Sequence, residues 1–594
     1  MARLGPSPRA LKIAYVAVLL AAVSGAISAQ QQTGGAEIEK TVLRGTVVNA
    51  VTRQPIGRAL VKSTDGRFAT MTDERGRFEM VFKERKNAAP MSAAPGPPSV
   101  GTALFPYSTT IHTNGTPPPG TVDRPDFLTA VRVGFLALQS SWGNGVPVAR
   151  DQEEVTISLT PEAKVVGHVT LADGEGAAGI PVELYRQVMQ DGRERWMGAG
   201  SAQARSDGEF RFADLEAGTY KLYSGELQDR DPVTSDPRAP EGWGYPPDYY
   251  PGATDFAGGA VIHLVAGETF QAALTPERRR YYRVHIGVAG GSGGQFEVEV
   301  ERDGHPGPGF TLGYDDFRDG SIGGMLPEGN YLVKVSSQNP NGLTGVMNLS
   351  VHGGPAAGMV TLLPGTDVEV RVDQQFGDSG QAQQAQEQNS GGEEHPDVRK
   401  GRQVFPPIQL QLVPAEEFKA ERQYMAQPPS DPASEGLVVQ GVPAGEYRVN
   451  VQSPTGYVAA IRCGETDLQN SPLVVGGGTS LPPIEVTLRN DGAEIDGSIV
   501  DLANHNNSGN GPPPGFVYIV PARGGGEMKL AIAQPNGDFQ IQQLAPGTYQ
   551  VVAFDRPQND LGYRDEDAMR KYDAQLVTVM PGQKEKIRVS FSAE

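Results

Sequence analysis

Three glycine motifs in this 594-residue chain have the spacing of reactive or phosphate-binding loops, and their surroundings argue against each. Gly377-Asp-Ser379-Gly380 has the pattern of a serine nucleophile, but it stands in a Gln/Gly-rich stretch with nothing to hold a histidine and a carboxylate against the hydroxyl. Gly290-Gly-Ser292-Gly-Gly294 matches Gly-x-Ser-x-Gly. A nucleophile elbow needs a helix after it, and the alternating Gln295-Phe-Glu-Val-Glu-Val that follows reads as a strand. Gly174-Glu-Gly176-Ala-Ala-Gly179 has dinucleotide-loop spacing, yet Ile180-Pro-Val-Glu-Leu opens no helix to receive a pyrophosphate. There is no Walker-type loop. The eight histidines are scattered, none is followed three residues later by Glu, and no His-Glu-x-x-His occurs. Asp229-Arg-Asp231 and Asp315-Asp316-Phe-Arg-Asp319 lack the spacing of a calcium loop and read as solvated acidic faces. The expectation is a chain that is not an enzyme, with no catalytic residues, no metal and no cofactor.

One segment has recognition chemistry. Trp243-Gly-Tyr245-Pro-Pro-Asp-Tyr249-Tyr250-Pro-Gly concentrates aromatic rings in a Pro/Gly-rich loop after the Tyr220 strand. Rings held by prolines stack on sugar faces or grip a peptide at low entropic cost. Trp243, Tyr245, Tyr249 and Tyr250 are therefore the candidate ligand-binding residues. The competing reading has them plugging a sandwich end or a module interface. Arg278-Arg-Arg-Tyr-Tyr-Arg283 reads as an inter-module strand with solvated arginines.

The elements that must position these rings are announced by a phrase occurring four times: Leu215-Glu-Ala-Gly218-Thr-Tyr220, Leu326-Pro-Glu-Gly329-Asn-Tyr331, Val442-Pro-Ala-Gly445-Glu-Tyr447 and Leu544-Ala-Pro-Gly547-Thr-Tyr549. The Tyr-to-Tyr steps of 111, 116 and 102 residues are domain-sized, so the chain is an array of like modules. Each phrase follows a glycine turn and a short apolar strand, as in Ser206-Asp-Gly-Glu-Phe210-Arg-Phe212, and the Tyr opens the next strand. Gly218, Tyr220, Gly329, Tyr331, Gly445, Tyr447, Gly547 and Tyr549 read as structural corners. In such a corner the ring is buried and the hydroxyl bonds nearby backbone. A second signature (Val261-Ile-His-Leu-Val-Ala-Gly267, Met359-Val-Thr-Leu-Leu-Pro-Gly365, Leu576-Val-Thr-Val-Met-Pro-Gly582) reads as a strand–turn–strand hairpin at a module edge.

The ordered motifs resemble those of the carboxypeptidase regulatory-like domain, a transthyretin-like β-sandwich. The first module carries Arg44-Gly45-Thr-Val47, Gln54-Pro55-Ile-Gly57-Arg-Ala59-Leu-Val61 and Thr72-Asp73-Glu-Arg-Gly76-Arg-Phe78, and departs from the pattern in lacking Pro-Gly-x-Tyr. The second has Gly167-His-Val169 and Gly179-Ile-Pro-Val182; the last has Gly497-Ser-Ile499 and Pro514-Gly515-Phe-Val517. The stretch from Gly456-Tyr457 to Ile495-Asp-Gly497 is similar to junctions between such modules in exported bacterial proteins. The resemblance implies a fold without catalytic residues of its own.

Composition agrees. Gly 75 and Pro 48 make about a fifth of the chain, which suits turn-rich all-β modules. Arg3, Arg9 and Lys12, the apolar run from Ile13 and small residues at Ile27-Ser-Ala29 read as a signal peptide over 1–29, the alternative being an uncleaved anchor. The expected localisation is export to periplasm, cell surface or medium, without stable membrane insertion after cleavage. Removal of Arg3, Arg9 and Lys12 takes the formal charge from −19 to −22, which disfavours nucleic acid as a partner. Cys463 is the only cysteine, so no intramolecular disulfide forms.

The expected fold class is all-β, a tandem array of about five Greek-key/transthyretin-like β-sandwich modules joined by short or disordered linkers. The modules are expected at 41–160, with a Pro/Ala-rich insertion at 86–124, and at 161–276, 277–373, 374–490 and 491–594. The fourth has a disordered Gln/Gly-rich start at 374–401, and Asp367–Asp373 suits either the third module's end or the fourth's beginning. The expected function is non-catalytic binding or scaffolding in the cell envelope or outside it, with a glycan or an envelope protein as partner. The alternative is an accessory or regulatory subunit of a separate secreted hydrolase.

Overall fold

The computed structural model describes residues 38–85, 125, 127–137, 145–148, 152–228, 240–290, 295–315, 320–337, 342–377, 408–416, 418, 423–429, 436–477, 480–500, 515–523, 525–534, 536–558 and 560–592. The expected signal segment, the 86–124 insertion, most of 374–401, Ser292, Ser379, Asp229, Asp231, Asp316 and Asp319 lie outside them. Among the described residues the only helix is the single turn Glu566–Met569, capped by the Asp565 carboxylate.

Among the described residues the strands form ten sheets that sort into five sandwiches of one topology. In each, the first strand lies between an antiparallel strand and the module's last strand, which runs parallel to it. The parallel registers set Arg44–Asn49 beside Glu154–Leu159, Lys164–Val169 beside Thr269–Leu274, Val284–Ala289 beside Ala356–Thr361, Val370–Gln375 beside Ile484–Arg489, and Glu494–Ile499 beside Lys584–Val589. The facing sheet is an antiparallel set. In the fifth sandwich it runs Lys529–Ile532, Phe516–Pro521, Gly547–Phe554, Gln575–Val579. Alternate residues of both sheets meet in one core: Ile495 and Ile587 from one side, Val517, Ile519, Val551 and Val577 from the other. The second, third and fourth sandwiches have equivalent cores.

Two sequence motifs turn out to be halves of one contact. The glycine of the Gly-x-Val motif sits on the first strand, directly opposite the phenylalanine after the glycine turn: Gly167 pairs with Phe210 and Gly497 with Phe539. The phenylalanine ring lies over the glycine. A Cβ would stand 2.3 Å from the Phe78 ring at Gly45, 2.6 Å from the Phe210 ring at Gly167 and 2.1 Å from the Phe539 ring at Gly497. These glycines are absent side chains rather than hinges: the space is filled by a cross-strand ring, which fixes the register of the pair.

The structure revises three readings. The second signature is not a hairpin. Ile262–Leu264 pairs within the sheet of Gly218–Ser224, whereas Thr269–Leu274 pairs with Ala163–Val169 in the other sheet. Gly267 therefore turns the chain across the sandwich, as Gly582 does between Gln575–Val579 and Lys584–Val589. Second, Thr366–Gln375 pairs with Leu437–Val442 and Ile484–Arg489, which places it in the fourth core. The strand includes Gln374 and Gln375, and Phe376 packs on that core. Third, Glu241–Tyr245 is a strand, not a loop, and it pairs with Arg279–Tyr282 in the third sandwich's sheet.

The glycine–phenylalanine contact predicts a specific epistasis. Gly497→Ala should destabilise the fifth sandwich by roughly 1–3 kcal/mol through overpacking, and Phe539→Leu in the same chain should recover part of that loss. Denaturant unfolding of the two single variants and the double variant measures the coupling. Additive losses would show that ring and glycine do not share the space.

Candidate functional site

The repeated phrase builds the same corner four times. Each Tyr hydroxyl donates to the carbonyl four residues earlier: Tyr220 to Glu216 (2.8 Å), Tyr331 to Pro327 (2.8 Å), Tyr447 to Pro443 (3.0 Å) and Tyr549 to Ala545 (2.6 Å). The glycine two residues before the Tyr lies on the same face of the strand, and the ring folds back over it. At Gly329 a Cβ would stand 3.2 Å from the Tyr331 ring and hydroxyl. All four rings are buried, and burial raises the Tyr549 hydroxyl to about 12. This arrangement closes a core.

The four aromatic candidates do not share a surface. Trp243 is 43% exposed, with Arg278 and Arg280 stacked 5.0 and 5.2 Å from its ring. Tyr245 and Tyr250 pack on the core of the second sandwich, Tyr250 edge-on to Phe270. Tyr249 is 5% exposed, stacks on Tyr223 at 5.2 Å and donates its hydroxyl to the Pro308 carbonyl of the third sandwich. It belongs to an aromatic cluster with Tyr223, Phe256, Tyr185 and Trp196, against which Phe418 packs. Lys221 is buried beside that cluster, its ammonium 4.9 Å from the Phe256 ring and donating to the Phe256 and Ala257 carbonyls. The Tyr249–Pro308 hydrogen bond and the Phe418 packing join modules, and the rest hold the second sandwich together. Trp243 alone keeps an exposed ring, and its faces are shared with arginines.

Next to this cluster, Glu226 of the second sandwich accepts hydrogen bonds from Thr311 of the third, from the backbone N–H at 3.3 Å and the hydroxyl at 3.0 Å. Burial raises its carboxyl to about 7 against the pull of those donors.

A polar cleft appears where the sequence reading placed no site. The hairpin formed by Pro181–Gln190 and Arg193–Gln203 reaches the fourth and fifth sandwiches. Arg195, 5% exposed, donates to the Glu416 carbonyl at 2.9 Å and the Pro414 carbonyl at 3.1 Å. At the hairpin tip, Asp191 accepts from the Tyr563 hydroxyl, and its carbonyl accepts from Arg564 Nε at 3.0 Å. Beside this contact lies a cleft of about 1130 Å³ between the fourth and fifth sandwiches. One wall carries Gln409, Gln411, Asn450 and Gln452, and the register sets Gln409 opposite Gln452 and Gln411 opposite Asn450. Four amides thus stand on one sheet face, with Gln550 and Arg523 across the cleft. The signal was present in the alternation Gln409-Leu-Gln411 and Asn450-Val-Gln452, but polar residues on the outer face of a sandwich are ordinary until a second module covers them. A smaller cleft of about 460 Å³ adjoins it, lined by Arg193, Arg195, Arg448 and Arg564. Cys463 is buried, its thiol donating to the Pro482 carbonyl, and burial raises its pKa. Among the described residues no group of three or more His, Cys, Asp or Glu is placed to hold a metal.

No protein-family model matches the sequence, and no curated protein matches it. Among solved structures, the Bacillus anthracis TIE protein is similar at 13% identity over 76% of this chain and 76% of that one, with a TM-score of 0.14. BcpA, the major pilin subunit of Bacillus cereus, is 12% identical over 72% of this chain and 99% of that one, TM-score 0.13. Two B repeat units of the collagen binding protein of Staphylococcus aureus give 12% identity, 72% and 99% coverage, and a TM-score of 0.13. Likeness at this level carries no argument about function, and the fold rests on the strands themselves.

Two measurements follow from these contacts. Tyr549→Phe keeps the ring and loses one hydrogen bond, about 1 kcal/mol. Tyr549→Ala also opens a cavity, about 3–5 kcal/mol. Hydrogen exchange over Gly547–Phe554 in a denaturant series should show that order, and wild-type protection in both variants would mean the corner is not structural. For Glu226, the folded carboxyl lies above its unfolded value near 4.5, so its contribution is complete below that pH and is lost as pH rises through about 7. Melting curves across that window should show Glu226→Gln lacking this part of the wild-type decline. Parallel curves would contradict the raised value.

Proposed function

We propose that the chain is an exported, non-catalytic binding or scaffolding protein of the cell envelope or extracellular space. On this reading its sandwiches are carboxypeptidase regulatory-like domains, and two of them hold a glycan between them. The observation that carries the reading is the amide wall of the cleft: Gln409, Gln411, Asn450 and Gln452 in facing register. A primary amide offers both donors and an acceptor on a planar group, the complement of adjacent sugar hydroxyls, and it carries no charge to be desolvated. Four on a rigid sheet lose little side-chain freedom on binding. The repeated topology supports scaffolding independently. First and last strands run parallel, so the chain enters and leaves each sandwich at opposite ends.

The purified exported chain, titrated by calorimetry with a panel of neutral oligosaccharides, tests this reading. Gln411→Ala with Asn450→Ala should weaken binding at least about tenfold, the loss of one to three unshared hydrogen bonds, with an unchanged melting temperature. Trp243→Ala should leave it intact. Binding lost in Trp243→Ala and retained in the amide variant would move the site to the exposed tryptophan. A hydrolase recovered stably with the chain, and no saccharide bound, would favour the accessory-subunit role.

A further inference from the structure

The smaller cleft gathers four guanidinium groups from three sandwiches in a chain of formal charge −19. Two of them are committed. Arg195 is held by the Pro414 and Glu416 carbonyls, and Arg564 by Asp191 and the face of Tyr563. Arg193 and Arg448 are not held in this way: the Nε of each is buried and has no hydrogen-bond partner among the described residues. Both guanidiniums are pushed below the usual arginine range, first by burial and then by their arginine neighbours, Arg564 for Arg193 and Arg193, Arg564 and Arg195 for Arg448. Asp191 acts on both in the opposite sense.

Three of the carboxylates around the cleft have other donors. Glu194 accepts from Gln187 at 2.6 Å, Asp565 caps the helical turn by accepting from the Asp567 and Ala568 N–H groups, and the Asp191 carboxylate accepts from Arg564 Nη2 at 3.4 Å and from the Tyr563 hydroxyl. Glu566 also lines the cleft. Both side chains are half-buried, and an Nε shielded from water without an acceptor is costly unless an oxyanion accepts from it; the fork geometry of Arg suits a carboxylate, sulfate or phosphate.

We propose that Arg193 and Arg448 form an oxyanion-binding pocket at the junction of the Pro181–Gln203 hairpin with the fourth and fifth sandwiches. Arg193 comes from the hairpin and Arg448 from the fourth sandwich's Gly445–Gln452 strand, so a bound anion ties the two together. The pocket and the amide-lined cleft share Arg564 and Glu566. An acidic saccharide would thus place a carboxylate or sulfate here and hydroxyls along the amides. The pocket stands on its own chemistry and does not require the neutral cleft to bind sugar.

The test titrates the purified exported chain with sodium sulfate, inorganic phosphate, glucuronate and a polyuronide oligosaccharide at constant ionic strength, with a neutral oligosaccharide of equal length as control. Saturable binding of at least one anion is expected, weakened at least about tenfold in Arg193→Gln/Arg448→Gln. The melting temperature of that variant without anion should be unchanged or raised, because like charges have been removed. Arg448→Lys, which keeps the charge and loses Nε, should bind with intermediate strength. Free oxyanions binding as tightly as the polyuronide would identify a simple anion as ligand, and a polyuronide preference would identify an acidic glycan. The proposal is overturned by no saturable binding of any anion, by unchanged binding in the double variant, or by a lowered melting temperature in that variant without anion. Loss of neutral-sugar binding alone does not bear on it.

Discussion

Each sandwich depends on its first and last strands lying side by side, and everything between them is arranged around that pairing. The partners are separated by roughly 70–115 residues of chain, so the pairing forms only after a long loop has closed. What repays the closure is burial: the first strand is central in its sheet and faces the other sheet, as Ile495 of the fifth sandwich and Val370 of the fourth do. In the first, second and fifth sandwiches the glycine–phenylalanine contact sets the register on one side of this strand, and in the second to fifth the tyrosine corner anchors the start of a strand in the facing sheet. Both are local, and both repeat because they answer the same geometric demand.

The second sandwich departs from its siblings in one respect that matters for function. Its Pro181–Gln190 and Arg193–Gln203 strands are long, and their outer ends project into contact with modules more than two hundred residues away in sequence. The same sandwich shares an aromatic cluster with Phe418 and a hydroxyl contact with Pro308. Inter-module contacts of this kind convert outer sheet faces, ordinarily solvated, into walls. The amides of the fourth sandwich and the arginines of the hairpin owe their chemical interest to that covering.

This explains what was legible in the chain beforehand and what was not. The corner tyrosines could be read because a phrase recurring at domain spacing leaves one interpretation. The Gly-x-Val and Gly-x-Phe motifs could be seen, although not that they touch, since only the strand register sets Gly497 against Phe539. The prolines and glycines around Trp243 suggest a loop, whereas Glu241–Tyr245 is a strand that gains its partner from the next module's Arg279–Tyr282. The Thr366–Gln375 strand was ambiguous for the same reason: its alternation fits either core until pairing decides. The alternation around Gln411 and Asn450 is visible in the sequence, but its significance, like that of Arg193 and Arg448, arises between modules.

The way the hairpin is held also bears on its specificity. Arg195 donates to two backbone carbonyls at the end of the Gln409–Pro414 strand, and Arg564 takes one carbonyl of Asp191. Carbonyl acceptors are fixed by the fold and cannot rotate away, so these contacts define one docking register rather than a family of ion pairs screened by salt. The cost is that several guanidiniums are concentrated in a partly desolvated space. Arg195 and Arg564 offset it with carbonyls and a carboxylate, so the remaining repulsion falls on Arg193 and Arg448. A junction that holds its register through backbone acceptors can tolerate two arginines that do not contribute to docking. Those two are then the groups through which an incoming anion can act on the arrangement of the modules.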